Sequence, residues 1–380
     1  MVINLIAVLA VLQGSTVQEK SWTAYKQRSD SVRVADRAAI DDELKRSGKT
    51  AWTPAPTDQG FFLHDSMTVA WFATPRAAQL GDYIVSYQAP NGGWSKRMAF
   101  AHLRSPGEAY TSEDNATWLS TLDNGATHEQ LEFLGRLIKA QDMPQYRASF
   151  IRGVEYLLIA QQPNGCWPQI FPLAGSYHDA ITFNDDASVN ALGLLGEVAD
   201  GEHSFVPESV RNRSTEAWRN GLECILKTQV TVNGVKTVWG QQHDPITLQP
   251  GTARAYEHPS LSGRESAAIL DFLMRIEKPS FEVVNAVHAG VAWFRKNAIE
   301  GFDYHFKGDL TPKAGAGPIW ARFYELGTNR PIFSDRDGVV KYNLGEIGPE
   351  RRYNYGWYTD EPVRTLKRYE RWIKKYGREK

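Results

Sequence analysis

The chain has few of the residues and motifs that build several common functional sites. Its 380 residues include only two cysteines, Cys166 and Cys224, which are too few for a disulfide framework. These two can pair after export, or both can stay as buried free thiols. No His-Glu-x-x-His zinc motif, no Gly-x-Ser-x-Gly nucleophile elbow and no phosphate-binding loop is present. Zinc-protease, serine-hydrolase and nucleotide-phosphate chemistry therefore have no sequence support.

Excess charge and long apolar runs are also missing. The formal net charge is −1, so no global field attracts nucleic acid or a membrane, and we expect neither as a partner. One apolar run, residues 2–12, has the length of a signal-peptide core but is too short to span a bilayer. No Lys or Arg precedes it, although Gly14, Ser15 and then charged residues follow. We predict a signal peptide over residues 1–17 and a secreted or periplasmic mature protein.

A repeat dominates what the sequence does contain. The pattern Gln-x-Pro-Asn-Gly-x-Trp occurs at 88–94 and 161–167, and a degenerate copy runs from Gln229 through Asn233-Gly234 to Trp239. Each copy follows a stretch with helical apolar periodicity. Asn-Gly supplies the positive-φ positions of a tight turn, and the tryptophan is expected to pack that turn against the helices.

Between the copies, a second amphipathic helix is predicted each time. These helices are expected to begin near Thr121, Thr182 and Ser260, each with a side chain that can cap the helix. Three helix pairs in tandem predict an all-α fold, an (α/α)3 toroid with long irregular loops. We predict an N-terminal helical and loop elaboration over 18–84. The catalytic toroid is predicted over 85–380, with a C-terminal loop region and a final helix, and we expect a monomer.

Acidic residues gather at two of these helix starts, as Asp123-Asn124 and Asp185-Asp186. Capping explains one polar residue per helix but not a pair. Equivalent helices of a toroid begin on one rim, so the carboxylates are expected to converge there and to suit a hard cation. The alternative is the acid and base of a glycosidase.

Arginines supply the opposite charge. The third repeat brings Arg254 to the rim instead of a carboxylate, and further arginines follow downstream. Because guanidinium groups bind carboxylates at two points, a cation beside arginines indicates a polyanion pocket. Two histidines lie near the motifs, and His243 is expected to fix a loop, while direct catalysis by His178 or His243 is not favoured. The downstream arginines are Arg322, Arg330, Arg336, Arg351 and Arg352.

Taken together, these segments resemble the family 10 pectate lyases. The resemblance rests on "NGGWSK", "TLDNGAT", "QQPNGCWPQIFP", "ITFNDDASVN", "WGQQHDP", "ARAYEHPSLSGRES", "GPIWARFYELGTNRPIFSDRDG" and "RRYNYGWY", from about residue 85 to 358. It implies a pectate lyase that degrades polygalacturonate by Ca²⁺-assisted β-elimination on an (α/α)3 toroid.

The resemblance also implies roles for residues. Arg254 of "ARAYE" is the expected catalytic base, Asp185 the expected calcium ligand, and Asp123 the residue expected at both calcium and substrate. Asn124, Arg322, Arg336 and Arg351 are expected to bind substrate. We assign the capping role at the second helix start to Asp186.

Arginine is normally protonated, so a basic role needs neighbours that favour its neutral form. Calcium and nearby arginines are expected to do this and to give an alkaline optimum. Two rival functions make different predictions. A glycoside hydrolase using Asp123 and Asp185 works in a chelator without an unsaturated product, and an inactive pectin-binding protein makes no product.

Overall fold

The computed structural model describes the backbone of residues 3–111, 119–305 and 308–376, and side chains from Glu19 onward. Helices dominate these ranges, and the strands are two or three residues long. The α-helices described are α1 (Ile3–Arg46), α2 (Val69–Phe72), α3 (Pro75–Ser86), α4 (His128–Ala140), α5 (Pro144–Ala160), α6 (Ala187–Ala199), α7 (Glu208–Thr228), α8 (Glu265–Leu273), α9 (Phe281–Lys296), α10 (Pro349–Asn354) and α11 (Glu361–Tyr376).

The strands form antiparallel two-stranded ladders that shape the loops. In chain order they are β1 (Ile181–Thr182), β2 (Thr231–Val232), β3 (Val235–Lys236), β4 (Gln242–His243), β5 (Ser260–Ser262), β6 (Phe302–Tyr304), β7 (Leu310–Pro312), β8 (Trp320–Ala321), β9 (Phe323–Glu325), β10 (Phe333–Ser334), β11 (Val340–Lys341) and β12 (Tyr358–Thr359). The pairs are β1 with β4, β2 with β3, β5 with β9, β6 with β7, β8 with β12 and β10 with β11.

The chain divides into two compact units. The first comprises Met1–Asp179 and Asn190–Gly221, and the second comprises Ala180–Val189 and Leu222–Lys380. The predicted domain boundaries do not follow this division and stay predictions. None of the described helices is both long enough and apolar enough to cross a membrane.

In the first unit, α3, α4 and α5 pack on one another, and the core lies between them. The apolar stripe predicted for the second helix of the first repeat is buried, since Leu131, Leu134 and Leu137 are fully inaccessible. Helix α1 joins this unit through Tyr25, whose hydroxyl donates to the carbonyl of Ala160 at 2.8 Å. The predicted signal peptide falls on residues whose side chains lie outside the described part of the chain.

In the second unit, α8, α9 and α11 pack together. Helix α11 confirms the predicted final helix, although it begins at Glu361 and is described only to Tyr376. Its apolar face turns inward, with Tyr369 and Trp372 buried, while Lys374 and Lys375 occupy the last turn. Basic residues there suit the negative end of the helix dipole.

The predicted turn of the repeat is present in both units. Gly92 and Gly165 have φ values of 97° and 96°, which strain any residue with a Cβ. A Cβ on Gly92 would also lie 2.4 Å from the carbonyl oxygen of Arg152. Only glycine therefore fits this turn. In the degenerate copy, Asn233 and Gly234 both have positive φ and join β2 to β3.

The glutamine before each turn fastens the turn to a neighbouring helix. Its side-chain amide donates to one carbonyl at the turn and to one carbonyl of a neighbouring helix, which is α5, α7 or α9 in the three copies. These bonds are Gln88 to Gly92 and Ser149, Gln161 to Gly165 and Ala217, and Gln229 to Thr237 and Ala286, at 2.7–2.9 Å. The repeat is thus held by polar contacts that the spacing alone did not reveal.

The tryptophan of each copy is buried and hydrogen-bonded. Each indole N–H donates to a carbonyl of the helix that precedes its turn, so a buried polar atom is satisfied. The sequence predicted three such tryptophans, and a fourth occurs at Trp320. The bonds are Trp94 to Ile84, Trp167 to Leu157, Trp239 to Ile225 and Trp320 to Phe294, at 2.7–2.9 Å.

The helix starts differ from the prediction. Regular helix begins at His128, Ala187 and Glu265, several residues after the predicted positions, and Ser260 lies in β5. Thr127 does not cap α4 with its side chain. Its hydroxyl accepts from the backbone N–H of Trp94 and donates to the carbonyl of Thr121, so it joins the turn to the helix instead.

Candidate active site

Two of the helix starts carry a residue in the left-handed region. Asn124 has φ 52° and ψ 40°, and Asp185 has φ 50° and ψ 32°, each inside a short 3-10 turn. Backbone strain at a non-glycine residue persists only where surrounding contacts fix it, and it is common at functional sites. The two positions are equivalent in the repeat, but one lies in each unit. The expected convergence of the two helix starts stays a prediction.

In the first unit, Asp123 is buried, and each of its two carboxylate oxygens has one partner. Lys96 Nζ lies 2.8 Å from Asp123 Oδ2, and Gln169 Nε2 donates to Asp123 Oδ1 at 2.8 Å. Asn124 is exposed beside it. Lys96 and Gln169 each lie two residues after a repeat tryptophan, a position we did not single out from the sequence.

His178 lies near this carboxylate group. Its backbone carbonyl accepts from the N–H of Gln169 at 2.9 Å. Burial lowers the pKa of His178, and the charge of Lys96 lowers it further, while Asp123 acts in the opposite direction. A neutral imidazole at this place is a hydrogen-bonding group and a weak base.

In the second unit, Asp185 faces a guanidinium. Arg264 Nη1 lies 3.2 Å from Asp185 Oδ1, and the side-chain amide of Asn184 donates to Asp185 Oδ2 at 2.9 Å. The Asp185 side chain keeps 27% of its surface exposed. The carboxylate can therefore still take a ligand from solvent. Sequence reasoning missed Arg264, although it directly precedes α8 as Asp186 precedes α6.

Asp186 does not cap α6, which corrects the role assigned from the sequence. No hydrogen bond to its carboxylate is present among the described residues, and its own φ is 60°. Burial raises the pKa of Asp186 to about 6; Arg264 opposes this shift, and Glu265, Glu361 and Asp185 add to it. The left-handed backbone at two successive residues explains the absence of the cap, because an N-cap residue needs an extended conformation.

Arg322 is the most enclosed of the predicted substrate ligands. Its Nη2 donates to Glu265 Oε1 at 2.7 Å and to Asn184 Oδ1 at 2.9 Å. Burial by itself would lower the pKa of Arg322, but the Glu265 carboxylate raises it overall. The same charge pair holds the pKa of Glu265 below its usual range against the effect of burial. The residue at the start of α8 is thus tied to the segment after Trp320.

Arg254 is paired as well. Glu257 accepts from Arg254 Nε at 2.8 Å and from Arg254 Nη2, so the pair has two contact points. Burial would lower the pKa of Arg254, but the bond with Glu257 raises it overall. The expected neighbourhood that favours a neutral guanidinium is therefore not what surrounds Arg254 in this structure. The reason is Glu257, a carboxylate three residues along the same loop.

One tyrosine brings three of the predicted arginines together. The guanidinium carbons of Arg322, Arg254 and Arg351 lie 4.8, 5.5 and 5.9 Å from the centre of the Tyr355 ring. Tyr256 packs edge-on against Tyr355, with ring centres 5.3 Å apart. Aromatic faces stabilise guanidinium groups without neutralising them, so each arginine stays charged beside its glutamate partner.

Arg336 joins the cluster through Glu350. The carboxylate of Glu350 accepts two hydrogen bonds from Arg336, both at 3.1 Å, and two from Arg351, at 2.9 and 2.7 Å. The two arginines lower the pKa of Glu350 to about 2. Arg330 and Arg352 lie elsewhere, against Tyr342 and Asp309.

His243 has the structural role expected for it. It is fully buried, its Nε2 accepts from the N–H of Gly240, and its Nδ1 donates to the carbonyl of Leu248. Burial lowers the pKa of His243 to about 4. Both ring nitrogens are thus used in fixing the loop between Gly240 and Leu248.

A calcium ion at Asp185 would need further oxygen ligands besides this carboxylate. No group of three His, Cys, Asp or Glu side chains able to hold a metal occurs in the described ranges. Asp185 offers one exposed carboxylate of the hard-oxygen type that Ca²⁺ prefers, and Ca²⁺ needs six to eight oxygens. Water and the carboxylates of a bound polyanion would have to supply the others.

Comparisons with known proteins identify the family of this chain. A family model described as pectic acid lyase matches residues 88–366. A solved family 10 polysaccharide lyase from Cellvibrio cellulosa shares 34% identity and a TM-score of 0.71, covering 82% of this chain and 98% of its own. An aspartate-to-alanine mutant of the family 10 polysaccharide lyase from the same organism, solved in complex with trigalacturonic acid, has the same identity and TM-score. It covers 84% of this chain and 100% of its own.

No curated protein sequence matches the chain. Together with the helical architecture, the likeness to these lyases confirms the predicted fold class, an all-α (α/α)3 toroid with irregular loops.

Proposed function

The chain belongs to the pectic acid lyase family and is a polysaccharide lyase, and on that premise we propose that it is a pectate lyase acting on polygalacturonate. It cleaves the α-1,4 linkage by β-elimination and releases 4,5-unsaturated oligogalacturonides. The observation that carries the proposal is the arrangement of Arg254, Arg322 and Arg351 around Tyr355. Polygalacturonate presents a carboxylate on every sugar, and guanidinium groups bind carboxylates with defined geometry.

The reaction needs a base for the C5 proton of a galacturonate. In the proposed step, neutral Arg254 takes this proton. The electron pair of the broken C5–H bond then forms the C4–C5 double bond. The C4–O bond breaks, its electrons stay on the leaving oxygen, and that oxygen takes a proton from water. Each atom is accounted for without an oxidant or a nucleophile.

Substrate carboxylates need positive partners while negative charge develops at the reacting sugar. Arg322 and Arg351 are rigid and shielded from solvent, since they expose only 7% and 8% of their surface. Fixed donors aimed at developing charge are worth roughly 10²–10³ in rate each. Arg336 is more exposed and suits a more distant sugar of the chain.

Calcium is proposed as the cofactor, held by Asp185 with help from Asp123 and from substrate carboxylates. When bound, it would withdraw charge from the uronate carboxylate and make the C5 proton more acidic. Asp185 supports this proposal by its side chain, which keeps 27% of its surface exposed, and by its left-handed backbone. The Asp123 carboxylate, held by Lys96 and Gln169, and the exposed amide of Asn124 are proposed to contact substrate.

Secretion and a monomeric state complete the proposal. Cys166 and Cys224 are both disulfide-bonded, which suits an oxidising compartment such as the periplasm or the extracellular space. The polymeric substrate favours the same location because it does not enter cells.

One assay tests the proposed function. The protein is incubated with polygalacturonate, with and without EDTA, and the ultraviolet absorbance of the conjugated uronate is followed. We expect absorbance to rise with calcium and to stop in chelator. Turnover that continues in EDTA removes the calcium role. Reducing ends without absorbance indicate a hydrolase, and no product at all indicates a pectin-binding protein.

A further inference from the structure

We propose that Glu257, held in place by Tyr355, is a positioning residue that fixes the orientation and the basicity of Arg254. The inference rests on the proposed function, because it assumes that Arg254 is the base. It concerns two residues to which neither the sequence motifs nor the comparisons give a role.

Glu257 is buried and uses both carboxylate oxygens fully. It exposes only 3% of its surface. Its Oε2 accepts from the backbone N–H and the Nε of Arg254, at 3.0 and 2.8 Å. Its Oε1 accepts from Arg254 Nη2 and from the hydroxyl of Tyr355, the latter at 2.6 Å. Four donors around one carboxylate leave it little freedom to rotate.

The pair decides which edge of the guanidinium meets the substrate. Because Nε and Nη2 of Arg254 point at Glu257, the Nη1 edge is turned away from it. No hydrogen bond from Nη1 occurs within the described part of the chain, and 42% of the Arg254 side chain remains exposed. Nη1 is therefore the nitrogen available to take the C5 proton.

The loop around Arg254 depends on the same residue. The N–H of Glu257 donates to the carbonyl of Arg254 at 2.7 Å, and the N–H of Ala253 donates to the carbonyl of Glu257 at 3.1 Å. Arg254 itself lies in neither helix nor strand. A long side chain on such a segment is mobile unless another group holds it, and here that group is Glu257.

Tyr355 also holds Glu257 in place. Its ring is buried between Tyr256 and the guanidinium of Arg322, and its hydroxyl has Glu257 as its acceptor. The ring sits where the arginines meet, and the hydroxyl fixes the carboxylate relative to that ring. Removing the hydroxyl alone therefore tests the link without removing the packing.

The charge of Glu257 favours the protonated form of Arg254 and so acts on the chemistry. After the proton moves from C5 to Nη1, the new guanidinium is stabilised by a carboxylate already in contact with it. A carboxylate behind an imidazole plays the same part in the Ser-His-Asp triad. The result is a stronger base that is neutral only at high pH.

Kinetics of Glu257→Gln and Tyr355→Phe with polygalacturonate and calcium test the proposal. For Glu257→Gln we expect kcat to fall by roughly 10²-fold or more, the range of a positioned general base, with KM changed less than about threefold. The alkaline rise of kcat/KM moves to lower pH, because a neutral amide no longer favours the guanidinium. For Tyr355→Phe we expect a smaller fall in kcat and a smaller shift of the alkaline rise to lower pH.

Glu155→Gln is the matched control. Glu155 forms a comparable two-point pair with Arg213, but both side chains are exposed, and both belong to the first unit, whereas the arginine cluster belongs to the second. We expect unchanged kinetics and an unchanged pH profile for it. Circular dichroism and the melting temperature of every variant show whether it is folded at the assay temperature.

Two outcomes overturn the inference. In the first, Glu257→Gln keeps the native pH profile, and its loss of rate is explained by a lower melting temperature. Glu257 would then only stabilise the fold. The other is additivity of Glu257→Gln and Arg254→Lys in a double-mutant cycle, which shows no coupling. Failure of the proposed function looks different, since either the native protein gives no unsaturated product or Arg254→Lys is as active as the native protein.

Discussion

Arg264 Nη1 lies 3.2 Å from Asp185 Oδ1, so the carboxylate predicted to bind calcium has a guanidinium as its partner. Both side chains keep 27% of their surface exposed. The contact is a partly exposed ion pair, and Arg264 also pairs with Glu265 at 3.6 Å and with Glu361 at 3.2 Å, so Arg264 keeps carboxylate partners when Asp185 binds another cation. A cation that brings further oxygen ligands can therefore compete for Asp185.

Calcium is expected to bind with the substrate and only weakly before it. The described residues offer no group of three His, Cys, Asp or Glu side chains that could hold a metal, and substrate carboxylates are proposed to supply part of the oxygen ligands. Thermal unfolding with millimolar calcium should show little change, while calcium with trigalacturonic acid should raise the melting temperature. Asp185→Asn should remove the calcium-dependent part and leave the fold intact. Tight calcium binding measured by calorimetry without sugar would contradict this expectation.

Asp186 is expected to cost stability at neutral pH. The folded pKa of about 6 lies above the unfolded value, so the stabilising contribution is present below the unfolded pKa and is lost as pH rises through 6. Asp186→Asn should therefore raise the free energy of unfolding by about 3 kcal/mol at pH 8 and by little at pH 4.

Urea unfolding in EDTA measures this difference while keeping divalent ions out. Asp30→Asn, at a side chain that is 67% exposed, serves as the control and should change little at either pH. A marked loss of stability in Asp186→Asn at pH 8 would restore the capping role predicted from the sequence.

Glu350 is expected to compete with the substrate for two arginines. Its carboxylate sits between Arg336 and Arg351 with the two-point geometry that a uronate carboxylate would use. Glu350→Gln should therefore lower KM for polygalacturonate by about two- to fivefold, the range of an exposed ion pair. Glu370→Gln, which breaks the exposed pair with Arg295, is the control. A higher KM in Glu350→Gln would mean that Glu350 orders the arginines for the substrate.

Acid sensitivity is expected from His243. Its folded pKa of about 4 lies below the unfolded value near 6.5, so the folded protein loses stability as pH falls from 6.5 to 4. The loss from this residue amounts to about 3 kcal/mol over that interval. His243→Gln cannot titrate and should unfold with a shallower pH dependence, although its free energy of unfolding at pH 7 falls because two buried hydrogen bonds change. Equal pH slopes for both proteins would assign the acid sensitivity to other groups.

Local patterns were enough to predict the helix-turn-tryptophan repeat. Asn-Gly at 91–92 and 164–165 requires a positive φ, and the apolar stripe of α4 is a matter of periodicity, so both follow from neighbouring residues. Three helix pairs in tandem predicted the fold class, and the resemblance to a known family implied the same toroid. The start of α8 could not be predicted from local patterns. Residues 260–262 form β5 and pair with β9, far along the chain, so α8 begins only at Glu265.

The electrostatics of the candidate site depend on such distant contacts. Arg322 meets Asn184 across 138 positions of sequence, and Tyr355 meets Glu257 across 98. No local spacing predicts these pairs. Glu257 lies only three residues after Arg254, but its contact with the distant Tyr355 is not visible in the sequence, and Glu257 was overlooked as the carboxylate that raises the pKa of Arg254. Asp186 was assigned a cap for the same reason, since its positive φ is visible only in three dimensions.

The hydrogen bond from the repeat tryptophan to its helix does not depend on the length of the loop between them. The tryptophan binds a helix carbonyl 10, 10, 14 and 26 residues earlier in the four copies, yet the bond length stays within 2.7–2.9 Å. The residue two places later is Lys96, Gln169, Gln241 and Arg322 in turn. Each copy can therefore change the length of its turn while its tryptophan keeps the same bond to the preceding helix. An insertion in such a turn is absorbed between the helix and the tryptophan, so the polar residue stays two positions after the tryptophan.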